Sequence, residues 1–292
     1  MSMKARVQGE ASGMARRGTR VAREAATSPL MEALMRLGYI VRGLVYGAIG
    51  VLAVQTVFAK GGSLTDTQGA IAALGQTSLG SILLYIILIG LIGYALWGII
   101  RAVFDPLHKG TDLKGIGERL GFAVSGISYG LLAVATYGLI SGSANAAHNG
   151  AQTTQTQDVT AKILSQSWGT IAVTIVGLIV IGVGLLQIIQ GVRRDFERQF
   201  DPYDLSSTER TWIDRMGRFG MAARGLVFAM IGAFLVLAAV RHDPSQAQGI
   251  NGVLAALLQQ PYGPWLLGIV ALGLVAFGIY SAMCGIWLRF RR

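Results

Sequence analysis

Six long apolar runs punctuate the chain, at 37–59, 81–103, 120–141, 168–192, 219–240 and 264–288. Each is close to the ~20 residues a helix needs to cross the hydrocarbon core of a bilayer. The six prolines, Pro29, Pro106, Pro202, Pro244, Pro261 and Pro264, fall in linkers or at the first turn of a run. No mid-membrane break is therefore written into the sequence. Three of the polar segments between runs carry a second, shorter pattern. Asp66 to Gly75, Asp158 to Leu164 and Gln248 to Leu258 mix small, apolar and polar residues. Each predicts a short amphipathic helix on the membrane surface, with Asp66 and Asp158 as N-caps. The polar run Ser141 to Gln157 predicts a flexible loop. After the fourth run, Val192, Phe196 and Phe200 recur every four residues among arginines. That spacing predicts a basic amphipathic continuation of the fourth helix.

The runs come in pairs, and each pair opens the same way. Arg36-Leu-Gly38-Tyr-Ile-Val-Arg42-Gly43-Leu-Val-Tyr46 is echoed by Arg119-Leu-Gly121-Phe-Ala-Val-Ser125-Gly126-Ile-Ser-Tyr129 and by Arg218-Phe-Gly220-Met-Ala-Ala-Arg224-Gly225-Leu-Val-Phe228. The starts lie 83 and 99 residues apart. Phe-Asp-Pro closes a second run at 104–106 and again at 200–202. The chain therefore divides into an N-terminal arm, 1–30, and three units, 31–106, 107–202 and 203–292. Each unit crosses the membrane twice, so all three enter from the same side. The expected fold is an all-α polytopic bundle of six transmembrane helices in three parallel repeats, pseudo-threefold about the membrane normal. Gly38, Gly43, Gly121, Gly126, Gly220 and Gly225 are expected to let helices approach closely, as are Gly47, Gly130, Gly268, Gly273 and Gly278.

The motif Arg36-x-Gly38-x-x-x-Arg42-Gly43-x-x-Tyr46 and its two copies resemble the bacterial integral-membrane family catalogued as Domain of Unknown Function 1206. The resemblance covers about residues 32–292. It implies tandem two-helix units and carries no activity with it. The second copy departs from the pattern, with Ser125 where Arg42 and Arg224 stand.

Charge sets the orientation. Lys60, Lys162 and Arg241 follow the first, third and fifth runs, and the other Lys and Arg lie on the opposite side or at adjoining helix ends. Asp66, Asp158 and Asp243 balance those three cations, which leaves the formal +10 on one side. By the positive-inside rule both termini are cytoplasmic, in a multi-pass protein of a bacterial inner membrane. Tyr39, Phe104, Trp212, Phe219, Trp287 and Phe290 would sit at the inner boundary, and Phe58, Trp168, Tyr262 and Trp265 at the outer.

Composition agrees. Hydrophobic residues make up 52% and charged residues 14%, with mean hydropathy +0.53. The isoelectric point near 10.1 follows from orientation and needs no nucleic-acid partner. Glycine, at 40 residues without a three-residue period, suits packed membrane helices. Cys284 is the single cysteine, which excludes an internal disulfide or a cysteine-cluster metal site. The arm holds Lys4, Arg6, Arg16, Arg17, Arg20 and Arg23. It lacks the apolar core of a signal peptide and suits an anionic leaflet.

Candidate chemistry is sparse. Arg42 and Arg224 lie six residues beyond the arginine that opens each helix, so about 9 Å deeper. They are the candidates for contact with an anion or lipid headgroup; the bland alternative is snorkelling, or pairing with Asp105, Glu118, Asp201 or Asp214. Between these ends the runs hold no Asp, Glu, Lys or His. Ser128, Thr136, Thr174, Gln187 and Gln190 are the polar mid-span residues. His108, His148 and His242 are scattered over loops, and Cys284 reads as a small buried residue. No catalytic set, metal or cofactor is expected. The sequence therefore predicts a non-enzymatic membrane protein, structural or accessory, in contact with anionic lipid or a partner membrane protein. The alternative is a channel or facilitator for a small solute along the bundle axis.

Overall fold

The structure is a computed structural model that describes residues 29–58, 63–104, 113–143, 148, 150–193 and 206–287. Among these residues the chain forms nine α-helices, one 3-10 turn and no strand. In chain order they are α1 Pro29–Val57, α2 Thr67–Gly75, α3 Gly80–Phe104, α4 Leu113–Ser141, α5 Ala151–Leu164, α6 Gly169–Arg193, α7 Ser207–Arg241, α8 Ile250–Leu258 and α9 Gly263–Trp287. Six of them, α1, α3, α4, α6, α7 and α9, are long and apolar enough to cross a membrane. Residues 1–28 of the arm and the Arg194–Phe200 segment lie outside the described residues.

The even-numbered runs match their helices to within a residue or two. The odd-numbered ones begin well before the apolar pattern does, at Pro29, Leu113 and Ser207. Helix-forming polar turns carry them. Glu32 pairs with Arg36 one turn on, at 2.7 Å. Ser206 and Glu209 form a reciprocal capping box at the head of α7, which satisfies two of its orphan donors. Pro29 opens α1, Pro244 opens the 3-10 turn and Pro264 lies in the first turn of α9.

A short helix, α2, α5 or α8, joins the two spans of each repeat at one end of the bundle. Each is followed by a tight turn that closes on a glycine: Gly80, Gly169 or Gly263. A Cβ there would fall on the carbonyl of Gly75, Ile163 or Leu258, so no other residue fits. Asp66 caps α2 as expected. Asp158 does not cap α5, because that helix starts at Ala151 behind Gly150, which adopts φ +83°. The run expected to be a flexible loop is thus helical from Ala151 onward. The cap helices are tied by polar contacts. Asp66 is fully buried and accepts from Gly69 N at 2.9 Å and from Gln152 N at 3.1 Å. Gln68 donates to Gln155 at 3.0 Å, and Thr153 donates to Asn251. α5 therefore bridges α2 and α8.

The long helices pack along one another in the order α4–α3–α1–α9–α7–α6. The tightest crossings join one repeat to the next, and the second glycine of the motif makes each possible. A Cβ at Gly43 would lie 2.5 Å from Gly278 O on α9, one at Gly126 2.9 Å from Ala95 O on α3, and one at Gly225 2.6 Å from Gly184 O on α6. The first motif glycine works within a repeat. Gly38 lies against Tyr94 on α3, and Gly220 lies against Phe277 on α9. Gly121 differs: a Cβ there would meet nothing within 4 Å, and the same holds for Gly268. The reason is that α4 and α6, the spans of the middle repeat, do not pack along each other. The main core draws on α1, α2, α3, α4, α7, α8 and α9. α6 contributes instead to a smaller core with α5 and α7. Only 17% of its apolar window is buried, against 56% for α9.

An arginine–aromatic cluster as the candidate functional site

The central positions of the motif converge. Arg42 projects from the middle of α1 and Arg224 from the middle of α7, and both stack on Phe277 of α9. Their Cζ atoms lie 5.3 Å and 4.9 Å from its ring centroid, so they are no more than about 10 Å apart. Arg42 also covers Tyr39 at 4.6 Å and Tyr94 at 5.8 Å. Arg224 covers Phe228 at 4.4 Å and Tyr46 at 5.3 Å. Tyr39 is therefore part of this cluster and not of an interfacial belt. Trp168, Tyr262 and Trp265, by contrast, are exposed beside the cap helices.

The polar partners are neutral. Arg42 Nε donates to Ser281 Oγ at 2.8 Å, and its Nη1 reaches Tyr94 Oη at 3.4 Å. Ser281 in turn donates to Tyr39 O at 2.9 Å. Arg224 Nε donates to Tyr46 Oη at 3.2 Å, and its Nη1 donates to Gln187 Oε1. Ser281 and Gln187 occupy equivalent places, each eighteen residues past the turn glycine that opens its helix. Neither guanidinium is ion-paired to a carboxylate among the described residues. Asp105, Asp201 and the Glu118 side chain lie outside them.

A third cation stands nearby. The middle repeat offers Ser125, and the helix facing it supplies Arg101. Arg101 stacks on Phe122 at 4.1 Å and Trp97 at 5.2 Å, and its Nε is buried without a hydrogen-bond partner. Arg101 lies near the end of α3, and its spacing from the motif gives no hint of this role. Tyr129 completes the cluster, its ring 4.5 Å from Tyr94.

The energetics are near balance without being closed. An arginine at mid-membrane costs about 3 kcal/mol on insertion scales. Three stacked rings at about 1 kcal/mol each offset that amount. Aromatic faces do not neutralise a charge, however. Two guanidiniums about 10 Å apart still repel by about 1–2 kcal/mol at an effective dielectric near 20.

The motif's opening arginines act elsewhere. Arg119 donates to Ala102 O at 2.8 Å and Val103 O at 3.0 Å, and Arg36 reaches Ile286 O at 3.5 Å. Each places a cation on the last carbonyls of a neighbouring helix, where the helix dipole favours it. Arg218, with Arg215, lines a cavity of about 370 Å³ beside Gly191 and Val192 at the end of α6. A second cavity, of about 490 Å³, is apolar and lies over the Gly43–Gly278 crossing. Neither lining includes Arg42 or Arg224. The polar mid-span residues do not assemble together. Ser128, Thr136 and Thr174 each donate to a carbonyl of their own helix, Gln190 is exposed, and Gln187 alone joins the cluster.

The three motif copies coincide with three matches to one family model, at residues 37–105, 120–194 and 219–287, described as Domain of Unknown Function (DUF1206). The chain belongs to that family. An uncharacterized protein of Bacillus subtilis (strain 168), YxxB, is similar: 34% identical over 261 residues, 89% of this chain and 92% of the relative. No solved structure matches. In this DUF1206 chain, then, the motif positions divide the physical work. Arg36 and Arg119 cap a neighbouring helix, Gly38 and Gly220 admit an aromatic side chain, and Gly43, Gly126 and Gly225 admit a helix backbone. The central arginines of the first and third copies, Arg42 and Arg224, build the cluster with the final aromatic residues.

Proposed function

We propose that this DUF1206 protein is a non-enzymatic accessory protein of a bacterial inner membrane that holds anionic phospholipid headgroups. Both termini face the cytoplasm, on the side where the basic residues gather. The three repeats stand about a pseudo-threefold axis, a reading supported by the equivalent crossings at Gly43, Gly126 and Gly225. The observation that carries the functional reading is the convergence of Arg42 and Arg224 on Phe277 with only neutral hydrogen-bond partners among the described residues. Intramembrane cations usually pair with one another's counter-charges or mark a ligand path. Here aromatic faces and amide or hydroxyl oxygens hold the guanidiniums in place and leave their charge unmatched. A phosphate would supply the missing anion through charge-assisted hydrogen bonds. The cavity beside Arg215 and Arg218 offers a second headgroup contact nearer the surface.

The test is the double substitution Arg42→Gln, Arg224→Gln. The protein would be purified from membranes containing phosphatidylglycerol and phosphatidylcholine, and retained lipid would be counted by native mass spectrometry. The expected result is loss of the phosphatidylglycerol preference with the helical content intact. An unchanged preference in a folded double variant would refute the reading.

A further inference from the structure

The middle repeat leaves open a face that the other two repeats close. On α4, Gly121, Ser125 and Ser128 share one side at spacings of four and three residues. Gly121 is the counterpart of Gly38 and Gly220, which receive Tyr94 and Phe277. The α6 residue in register with Tyr94 and Phe277 is Val183, each lying fourteen residues past its turn glycine. Val183 is 42% exposed and Ile179 58% exposed. A Cβ at Gly182, between them, would meet nothing within 4 Å. A lateral seam therefore runs between α4 and α6 at membrane depth, while α5 ties its far end to α2 and α8. Tyr129, one turn beyond Ser125, stands next to Tyr94, whose hydroxyl meets Arg42 Nη1.

We infer that this seam seats an acyl chain of an acidic phospholipid whose phosphate is drawn toward Arg42 and Arg224. The inference rests on the headgroup-binding reading above and adds the route and the class of ligand. Two requirements select the occupant. The seam walls are apolar or small, so what fills them must be apolar and slender. The cluster behind them is cationic and has no carboxylate among the described residues, so one end of the occupant must be anionic. An acidic phospholipid meets both. In the flanking repeats the same place is filled by an aromatic ring, which sets the width the occupant must match.

The experiment uses the full chain reconstituted in vesicles of equal parts phosphatidylglycerol and phosphatidylcholine, then re-extracted for native mass spectrometry. The seam is filled by Gly121→Leu with Gly182→Leu, and melting in detergent is recorded alongside. The expected result is at least a tenfold loss of retained phosphatidylglycerol, roughly what one lost contact of that strength gives, with melting unchanged. Inorganic phosphate and glycerol 3-phosphate, added as competitors, should displace little. If the filled variant keeps its lipid while Arg42→Gln, Arg224→Gln loses it, the seam inference falls and the headgroup reading stands. If both variants keep it, both fall. Full displacement by free phosphate would make the site one for a soluble anion. Unfolding by Gly121→Leu would show the seam to be closed, and co-purification of a partner helix in place of lipid would assign the seam to a protein; either result overturns the inference.

Discussion

The first and third repeats close on themselves; the second does not. Gly38 and Gly220 each accept an aromatic side chain from the second span of their own repeat, whereas Gly121 faces open space. The sequences differ little at the point where the structures part. The motif keeps both glycines in all three copies, and the middle copy changes one central residue, Arg to Ser125. The second span carries the larger difference: Tyr94 and Phe277 become Val183. A β-branched side chain cannot fill the place of a ring, and the two spans no longer have a shared anchor. The lesson is that the glycines permit contact and the aromatic residue supplies it. What holds the middle repeat together is then its cap helix, α5, and its neighbours on either side.

This contrast predicts a graded series. Gly43→Leu and Gly225→Leu should have the largest effect, because each drives a side chain into the backbone of a facing helix. Overpacking of a rigid crossing costs about 1–3 kcal/mol or more. Both variants should lose their monodisperse, cooperatively melting form in detergent. Gly121→Leu, at the same motif as Gly38, should melt like the wild type. Equal damage from Gly38→Leu and Gly121→Leu would erase the distinction between the repeats.

Asp66→Asn should come next. It keeps the acceptor for Gly69 N but removes the second carboxylate oxygen, which accepts from Gln152 N. Loss of a buried hydrogen bond to a charged group costs about 1.5–3 kcal/mol, felt where α5 joins α2. Burial pushes the Asp66 carboxyl above its ordinary value of 3.8, and the bonds from Gly69 and Gln152 pull the other way. A raised folded-state pKa means the folded chain binds the proton more tightly than the unfolded one. Its contribution is therefore greatest in acid and falls as pH rises from 3.8 through the folded value. Wild-type melting should show that acid-side slope, and Asp66→Asn should flatten it. A slope of the same size in both proteins would assign it to another group.

The smallest effect expected is that of Ser206→Ala, which removes the capping box of α7 and costs about 1 kcal/mol. Its side chain bonds Glu209 at the head of α7, and the change should leave lipid retention untouched. A change in retention would link the entry turns to the cluster.

Much of this architecture is legible in the chain. Apolar length alone marks all six spans, and the repeated Arg-x-Gly start marks the units. The Asp66 cap and the short surface helices follow from local chemistry. The early starts of α1, α4 and α7 escape a hydropathy reading because polar turns such as Ser206–Glu209 are helical for capping reasons, not apolar ones. The turn glycines Gly80, Gly169 and Gly263 were a readable repeat signal that the motif overshadowed. Arg42 and Arg224 stand out as charges in apolar runs. Their convergence on Phe277 does not, since it depends on how helices far apart in sequence cross. Arg101 lies outside the motif altogether, and its place against Phe122 is visible only once α3 and α4 are packed.

The claim on which the account turns is that α4 and α6 are parted where the corresponding spans elsewhere touch. Disulfide trapping in a Cys284→Ser background tests it directly. Ala95→Cys with Gly130→Cys is the reference pair, because a Cβ at Gly130 lies 4.0 Å from the Ala95 Cβ across a packed crossing, within disulfide reach. Gly121→Cys with Val183→Cys is the test pair, in register with the Gly38–Tyr94 and Gly220–Phe277 contacts. Under mild oxidation in native membranes, the reference pair should cross-link fully and the test pair should stay reduced. Cross-linking of the test pair as fast as the reference would mean that the middle repeat closes like the others, and the seam would not exist.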